Sequence, residues 1–321
     1  MFLTMSLVAV GACYIDTILT TPRYPEEDEK LRASRISHRR GGNCPNTIQV
    51  MQQLIAQRLS TAQTSLELVA VLPRRCSNAS QQFRDAFEPA VSCTHCIYRI
   101  QYEEPASSYI IKSQATGSRT IVNYNELPEM TFEEFAPIAD KVGPKTGWFH
   151  FEGRIPETTL ACIKYVRQNF PRAKISVEVE KPGRPGLESL AMEADVVFYS
   201  KSWAEGKGYK SAEECVRAQS SITPKASLIC CTWGEDGAVG FETGPKNLVH
   251  SQAYTPPDFQ LVDSVGAGDA FIAGMLFGLI CKGDFWDLTE KLTVANRVAG
   301  MKVAQEGFSG LGRALHPKFF K

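Results

Sequence analysis

The sequence predicts an α/β fold: a doubly wound, mainly parallel sheet with flanking helices and a small β excursion rising from it. Three observations carry that reading. From about residue 130 onward short apolar strand-like runs alternate with helical segments, the pattern of repeated βα units with right-handed crossovers. Residues 5–13 are a nearly continuous apolar run, as a strand covered on both faces requires. Two segments, 17–41 and 97–125, break the rhythm, the first polar with Pro22, Pro25 and the acidic run Glu26–Glu29, the second alternating in hydrophobicity.

Taken in order, the apolar run 5–13 predicts the first strand. After Gly41-Gly42, Asn43 reads as a helix N-cap with Pro45 in the first turn, and Ile48, Met51, Leu54, Ile55 and Leu59 follow at helical spacing. Residues 97–125 read as two or more antiparallel strands joined by the Gly-containing turn Ala-Thr-Gly-Ser. Beyond 130 the alternation runs through GWFHFEG, a helix over 156–169, KISVEVE, a helix near 186–193, DVVFYS, a helix near 211–220, and SLICCTWG. Helices over 269–281 and 285–305 close the chain. A length of 321 residues fits two ordinary domains or one large α/β domain with insertions. The element pattern selects one body over 1–321, with a β flap from about 17–41 and 97–125 placed to cover a site.

Composition excludes several classes. Hydrophobic residues at 43% and charged residues at 22% are ordinary for a globular chain. Thirty-five basic side chains balance 35 acidic ones, so no net field holds a polyanion, and nucleic acid is not the expected partner. No apolar stretch approaches the roughly 20 residues of a membrane span. The opening run has no positive n-region, which favours a buried strand over a leader. Ten cysteines spread along the length read as reduced thiols in the cytoplasm. Cys93-Thr-His-Cys96 has no second pair at zinc-finger distance.

The run Asp263-Ser-Val-Gly-Ala-Gly-Asp269 opens directly into an apolar helix. The unpaired first-turn N–H groups of such a helix, with its dipole, attract an anion, above all a phosphate. Asp269 stands at that same place, and accepting a proton from an attacking hydroxyl is the task open to an acid there. By itself this run also fits a glycine turn with an ordinary first-turn Asp. It is not a dinucleotide fingerprint, because Phe271 takes the place of the third glycine, and no P-loop motif occurs in the chain. Asp16 after the first strand, with Gly42, Asn43 and Asn46 at the next helix, can face the carboxyl edge of the sheet, where ligands of open α/β sheets bind. Carboxylate and amide groups there suit a polyol, whose buried hydroxyls each need a partner.

Gly11-x-x-x-x-Asp16, Gly42-Asn43-x-x-Asn46 and Asp263-x-x-Gly266-Ala-Gly268-Asp269 together, in that order, resemble the signatures of the ribokinase (PfkB) family of carbohydrate kinases. The resemblance covers almost the whole chain and implies a ribokinase-like sheet with a β lid. Within the family, YPEED at 24–28, RGGN at 40–43, FEGR at 151–154 and SVEVEKP at 176–182 are most similar to the ketohexokinases. What this implies is ATP-dependent phosphorylation of a ketose hydroxyl, with Asp269 as base and Gly266, Ala267 and Gly268 as the anion hole. It further implies that Asp16, Gly42, Asn43 and Asn46 hold the sugar, and that Arg119 in the lid stands near the transferred group. Thr232, Gly234 and Gly237 resemble a nucleotide loop, Asn296 matches a position facing adenine, and Lys201 is a candidate phosphate contact. Mg²⁺, a monovalent cation such as K⁺ before Gly266, and a homodimer through the lid with Asp28 reaching the neighbour's sugar are further implications.

The chain departs from the family pattern in two places. Ser200-Lys-Ser-Trp203 stands where many members carry N-x-x-E for magnesium-bound water. Glu178 and Glu180, alternating onto one strand face, are candidate replacements, since Mg²⁺ prefers carboxylate and water oxygens; a structural salt-bridge role fits them equally. Residues 72–91 lack the usual Gly-x-Asp-x-x-Gly segment. His150 reads as a core or hydrogen-bonded histidine, and Trp148 and Trp286 as packing residues.

Overall fold

A computed structural model describes residues 5–58, 64–315 and 319. Met1–Thr4 and Leu59, the last residue expected on the first helix, lie outside them. The chain opens with β1 (Met5–Val10), β2 (Tyr14–Thr21), β3 (Arg35–Gly41) and α1 (Asn43–Ala56). Next come β4 (Thr64–Val69), β5 (Val71–Pro73), α2 (Asn78–Phe87), β6 (Val91–Ser92) and β7 (Ile97–Arg99). The hairpin β8 (Ser107–Ser113) and β9 (Arg119–Tyr124) precedes α3 (Phe132–Val142) and β10 (Trp148–Phe151). Then follow α4 (Pro156–Asn169), β11 (Lys174–Val179), α5 (Leu187–Glu193), β12 (Val196–Tyr199), α6 (Lys201–Gly206), α7 (Ala212–Ser220) and β13 (Leu228–Thr232). The chain ends through β14 (Ala238–Glu242), β15 (Asn247–Ser251), α8 (Ala267–Phe277) and α9 (Leu288–Val303).

The large sheet has the order β15-β14-β13-β12-β11-β10-β1-β4-β6. From β13 to β6 every pairing is parallel, and β14 and β15 add an antiparallel edge. Side-chain alternation explains the unbroken apolar run of β1. Leu7 and Ala9 join the core under α1, α8 and α9, while Val8 and Val10 join the core with α3, α4, α5 and α7. Each fully buried Leu or Val contributes about 1.5–3 kcal/mol, so both faces of the strand are secured.

The lid is a separate four-stranded sheet, β3-β2-β8-β9. Its bounds differ from expectation: the first segment begins earlier, at 14, and the second is shorter, 107–124, because β7 pairs with β5 in a two-stranded sheet of its own. The first strand stops at Val10 because the chain turns at Gly11 into the lid; a Cβ there would lie 2.8 Å from the Cys44 side chain. The antiparallel edge β14–β15 and the short α6 extend the predicted order of elements.

Candidate active site

Between the carboxyl edge of the large sheet and the underside of the lid lies a cleft of about 650 Å³. Its floor begins at α8. Gly266 is the N-cap of that helix with φ 81°, a left-handed conformation that favours glycine, and a Cβ would meet Phe308 at 2.3 Å. Asp269 follows in the first turn, so its carboxylate stands among donors that no helical carbonyl satisfies. Asn46 Nδ2 donates to Asp269 Oδ2 at 2.8 Å, and the Thr47 hydroxyl donates to the Asp269 carbonyl at 3.3 Å. These contacts tie α1 to α8.

Asn43 is placed differently from expectation. Gly42, at φ 103°, is the N-cap, because a Cβ would sit 2.0 Å from the Ala12 carbonyl oxygen. Asn43 is therefore the first helical residue, and its side chain is free to reach the cleft. Its Nδ2 donates to Glu178 Oε2 at 2.8 Å and to Glu180 Oε2 at 2.9 Å. Asp16, 7% exposed, accepts from Arg39 Nε at 3.2 Å. Arg39 Nη1 also donates to Asp263 Oδ2 at 2.6 Å, and the fully buried Lys302 ammonium donates to that oxygen and to the Asp263 carbonyl, each at 2.9 Å. Burial pushes the Asp263 carboxyl up, yet the Lys302 hydrogen bond and the two cations outweigh it and hold the group low.

Six acidic side chains line the cleft, Asp16, Glu152, Glu178, Glu180, Glu205 and Asp269, with the basic Arg119, Arg154, Lys181, Arg184 and Lys201. Burial, then the charge of Glu178, pushes Asp269 well above the ordinary Asp range, with Asn46 opposing. Glu152 rises to about 7 through burial and then Glu178, although its Oε2 accepts from the Ala12 N–H at 2.8 Å. Glu178 is raised by burial and by Glu180 against the Asn43 hydrogen bond. Burial is the larger cause in each, and the neighbouring carboxylates add to it. Glu152 was not singled out by sequence reasoning. Its signal was the alternation of β10, which puts Trp148, His150 and Glu152 on one side.

Behind Glu178 lies His150, fully buried, with Nε2 2.9 Å from Glu178 Oε1 and Nδ1 2.9 Å from Ser176 Oγ. Burial pushes this imidazole down to about 3, so it is neutral. Cys44 Sγ lies within 4.8 Å of donor atoms of His150 and Glu178. That thiol donates to the Val10 carbonyl at 3.3 Å and His150 pairs with Glu178, so hydrogen bonds account for all three.

The remaining expected residues divide. Arg119, on the first position of β9 instead of in the turn, lines the cleft and donates to Ser264 Oγ at 2.9 Å. Thr232 and Lys201 line it too; the Lys201 ammonium lies 5.5 Å from the centroid of the Trp233 ring. Gly234 and Gly237 form the turn after β13 but are not on the cleft wall, and neither is Ala267. Asn296 is buried in α9 and spends its amide on the Ser251 carbonyl at 2.8 Å, away from the wall. Asp28 is exposed in the β2–β3 connection, outside the cleft. Trp286 packs edge-on against Phe277, as a packing residue should.

A glycine-capped helix carrying an acid thus faces a polar cleft under a β lid. The chain belongs to the family described as pfkB family carbohydrate kinase, which matches residues 4–311. It is similar to ketohexokinase of Mus musculus, 32% identical over 318 residues that cover 95% of this chain and 98% of that one. In fold it is similar to ribokinase from Giardia lamblia, with TM-score 0.78 at 16% identity over 96% of this chain and 95% of that one. Arabidopsis thaliana ribokinase complexed with ribose and ATP superposes with TM-score 0.73 at 16% identity, covering 98% and 97%. The ribokinase-like α/β fold and the class of enzyme, a phosphotransferase acting on a sugar hydroxyl, follow.

Proposed function

We propose that the chain is an ATP-dependent, ketohexokinase-like kinase that moves the γ-phosphoryl group of ATP to a ketose hydroxyl, the C1 hydroxyl of fructose. One observation carries the reading: Asp269 sits in the first turn of glycine-capped α8, held by Asn46 on the wall that also bears Asp16 and Asn43. Asp16, Gly42, Asn43 and Asn46 hold the sugar. Asp269 takes the proton of the attacking hydroxyl, and the N–H groups from Gly266 to Asp269 receive the phosphoryl charge as it develops. Arg119, carried on the lid, adds its guanidinium when the lid approaches. Nucleotide binds toward Thr232, Lys201 and the Gly234–Gly237 turn, with Asn296 bracing β15 beside it.

The crowded carboxylates fit a hard divalent cation. Glu178 and Glu180 would hold Mg²⁺ through water in place of the absent N-x-x-E motif. Bound there with ATP, the ion supplies charge neutralisation to the phosphates. A monovalent cation such as K⁺ has the loop before Gly266 as its place. Both Asp263 carboxylate oxygens already have donors there, Oδ1 the Val265 N–H and Oδ2 Arg39 and Lys302. A several-fold rise in turnover when K⁺ replaces Na⁺ is what an additional exchangeable cation produces.

A homodimer through the lid accords with the exposed Ile36, Tyr109, Ile121 and Val122 on its strands, and Asp28 then reaches toward the neighbour's sugar. A monomeric mass in light scattering removes that part of the reading. Ten unpaired cysteines accord with the reducing cytoplasm. The test of the whole is ADP release with ATP and Mg²⁺ across ketoses, aldoses and nucleosides. Fructose as the best acceptor supports the proposal. A different best acceptor moves it to another sugar or nucleoside kinase of the family, and ATP binding without any turnover makes the chain a kinase-derived binder.

A further inference from the structure

We propose that His150 is a positioning residue: through a one-way hydrogen-bond chain running Trp148, Ser176, His150, Glu178, it fixes the amide of Asn43 so that its carbonyl oxygen faces the substrate. This deepens the kinase reading and rests on it only for the identity of that substrate.

The chain follows from strand register. On β10 and β11, which pair in parallel, His150 lies opposite Ser176. Trp148 and His150 share one side of β10, and Ser176 and Glu178 the same side of β11, because strand side chains alternate. The four climb diagonally between two strands toward the cleft. Trp148 Nε1 to Ser176 Oγ is 2.8 Å, Ser176 Oγ to His150 Nδ1 is 2.9 Å, and His150 Nε2 to Glu178 Oε1 is 2.9 Å. All four side chains are buried, Ser176 and His150 completely.

Chemistry sets the direction. An indole N–H only donates, so Ser176 Oγ must accept from Trp148. Among the described residues the Ser176 hydroxyl then has one acceptor for its own hydrogen, His150 Nδ1. Left unpaired in a dry core, that hydrogen would carry its full desolvation penalty. With Nδ1 accepting, the proton of the neutral ring is on Nε2 and goes to Glu178 Oε1. Glu178 offers its other oxygen, and both amide hydrogens of Asn43 are taken by Glu178 Oε2 and Glu180 Oε2. The amide oxygen of Asn43, without a partner among the described residues, is the atom left for the cleft. It selects a hydroxyl that donates.

The test uses the full-length protein and two readouts. In ¹⁵N-histidine spectra, the His150 resonances, assigned by their loss in His150→Gln, are expected to show the Nε2–H tautomer. Ser176→Ala, a small change in a packed site, is expected to release that preference. In kinetics, Ser176→Ala and His150→Leu are expected to raise KM for the sugar about five- to tenfold, the effect of one misdirected hydrogen bond. KM for ATP stays within about twofold, since Asn43 lies on the sugar side. His150→Gln, which keeps an N–H toward Glu178, restores most of the sugar affinity. An Nδ1–H tautomer in the wild type overturns the proposal, as does an unchanged sugar KM in folded Ser176→Ala and His150→Leu proteins. Absence of any sugar turnover in the wild type overturns the kinase reading instead, while the tautomer still decides the chain.

Discussion

In the proposed reaction Asp269 combines two demands that normally conflict, a position where anions bind and a carboxylate that must be free to take a proton. Its raised proton affinity has a consequence in pH. The base works only when deprotonated, so kcat falls as pH drops through its folded-state value, which lies well above the ordinary 3.8. The acid limb of the kcat profile is therefore expected well above the pH of an ordinary aspartate, and an initial-rate series from pH 4 to 9 reads it. Arg119 belongs to the same scale. Its Nη1 rests on Ser264, one residue past Asp263 in the loop that leads to the anion hole. Arg119→Ala is expected to lower kcat about 10²-fold with the sugar KM little changed, as removal of one preorganised donor does. At this scale the motif residues Asp16, Asn46, Gly266 and Asp269 were legible in the sequence, because a tight glycine turn or a polar group beside a glycine admits few substitutes. The function of Asn43 as a bridge to Glu178 and Glu180 was not legible, since an amide opening a helix is also a good N-cap. Only the φ of Gly42 decides between the two.

Helices α1, α8 and α9 carry the site, and their close approach depends on small residues. A Cβ on Gly274 of α8 would stand 2.6 Å from Ala295 Cα of α9, so the two backbones are in near contact. Gly274→Ala must push them apart and is expected to destabilise the fold by about 1–3 kcal/mol, measured as a lower urea midpoint with unchanged slope. Most elements could be read from period alone: β1, β10, β11, β12 and β13 as buried apolar runs, α8 as a helix apolar on all sides. The hairpin β14–β15 had its own signal, alternation in AVGFE and NLVHS around Thr-Gly-Pro-Lys, masked by the stronger βα rhythm before it. The pairing of β5 with β7 was beyond reach, because each is three residues long and their partnership is decided by tertiary packing. The lid's limits erred for the same reason: 97–99 alternates like a lid strand and pairs elsewhere.

At the scale of the whole molecule, the fold gathers buried carboxyls with raised proton affinity at one end of the cleft. Glu152 and Glu178 bind their protons more tightly in the fold than the ordinary 4.5, Glu152 to about 7. A carboxyl whose folded value is raised contributes stability that is complete below its unfolded value and lost as pH rises through the folded one. The metal-free protein is therefore expected to lose thermal stability as pH rises from about 4.5 to about 8, and millimolar Mg²⁺ to recover part of that loss; a flat Tm across this range, with and without Mg²⁺, contradicts the charge account. The zero net charge of the chain gives no hint of this cluster, which comes into being only when β10, β11, α1 and α8 meet.

The central claim is that Asp269 at the N-terminus of α8 is the base of a sugar phosphotransferase. Its most direct test is a comparison of wild type and Asp269→Asn, with ATP binding measured by calorimetry beside fructose-dependent ADP release in Mg²⁺. The account predicts that the variant binds ATP as the wild type does and loses turnover by about 10²- to 10⁴-fold, the usual contribution of a positioned general base. A variant that turns over at the wild-type rate contradicts it.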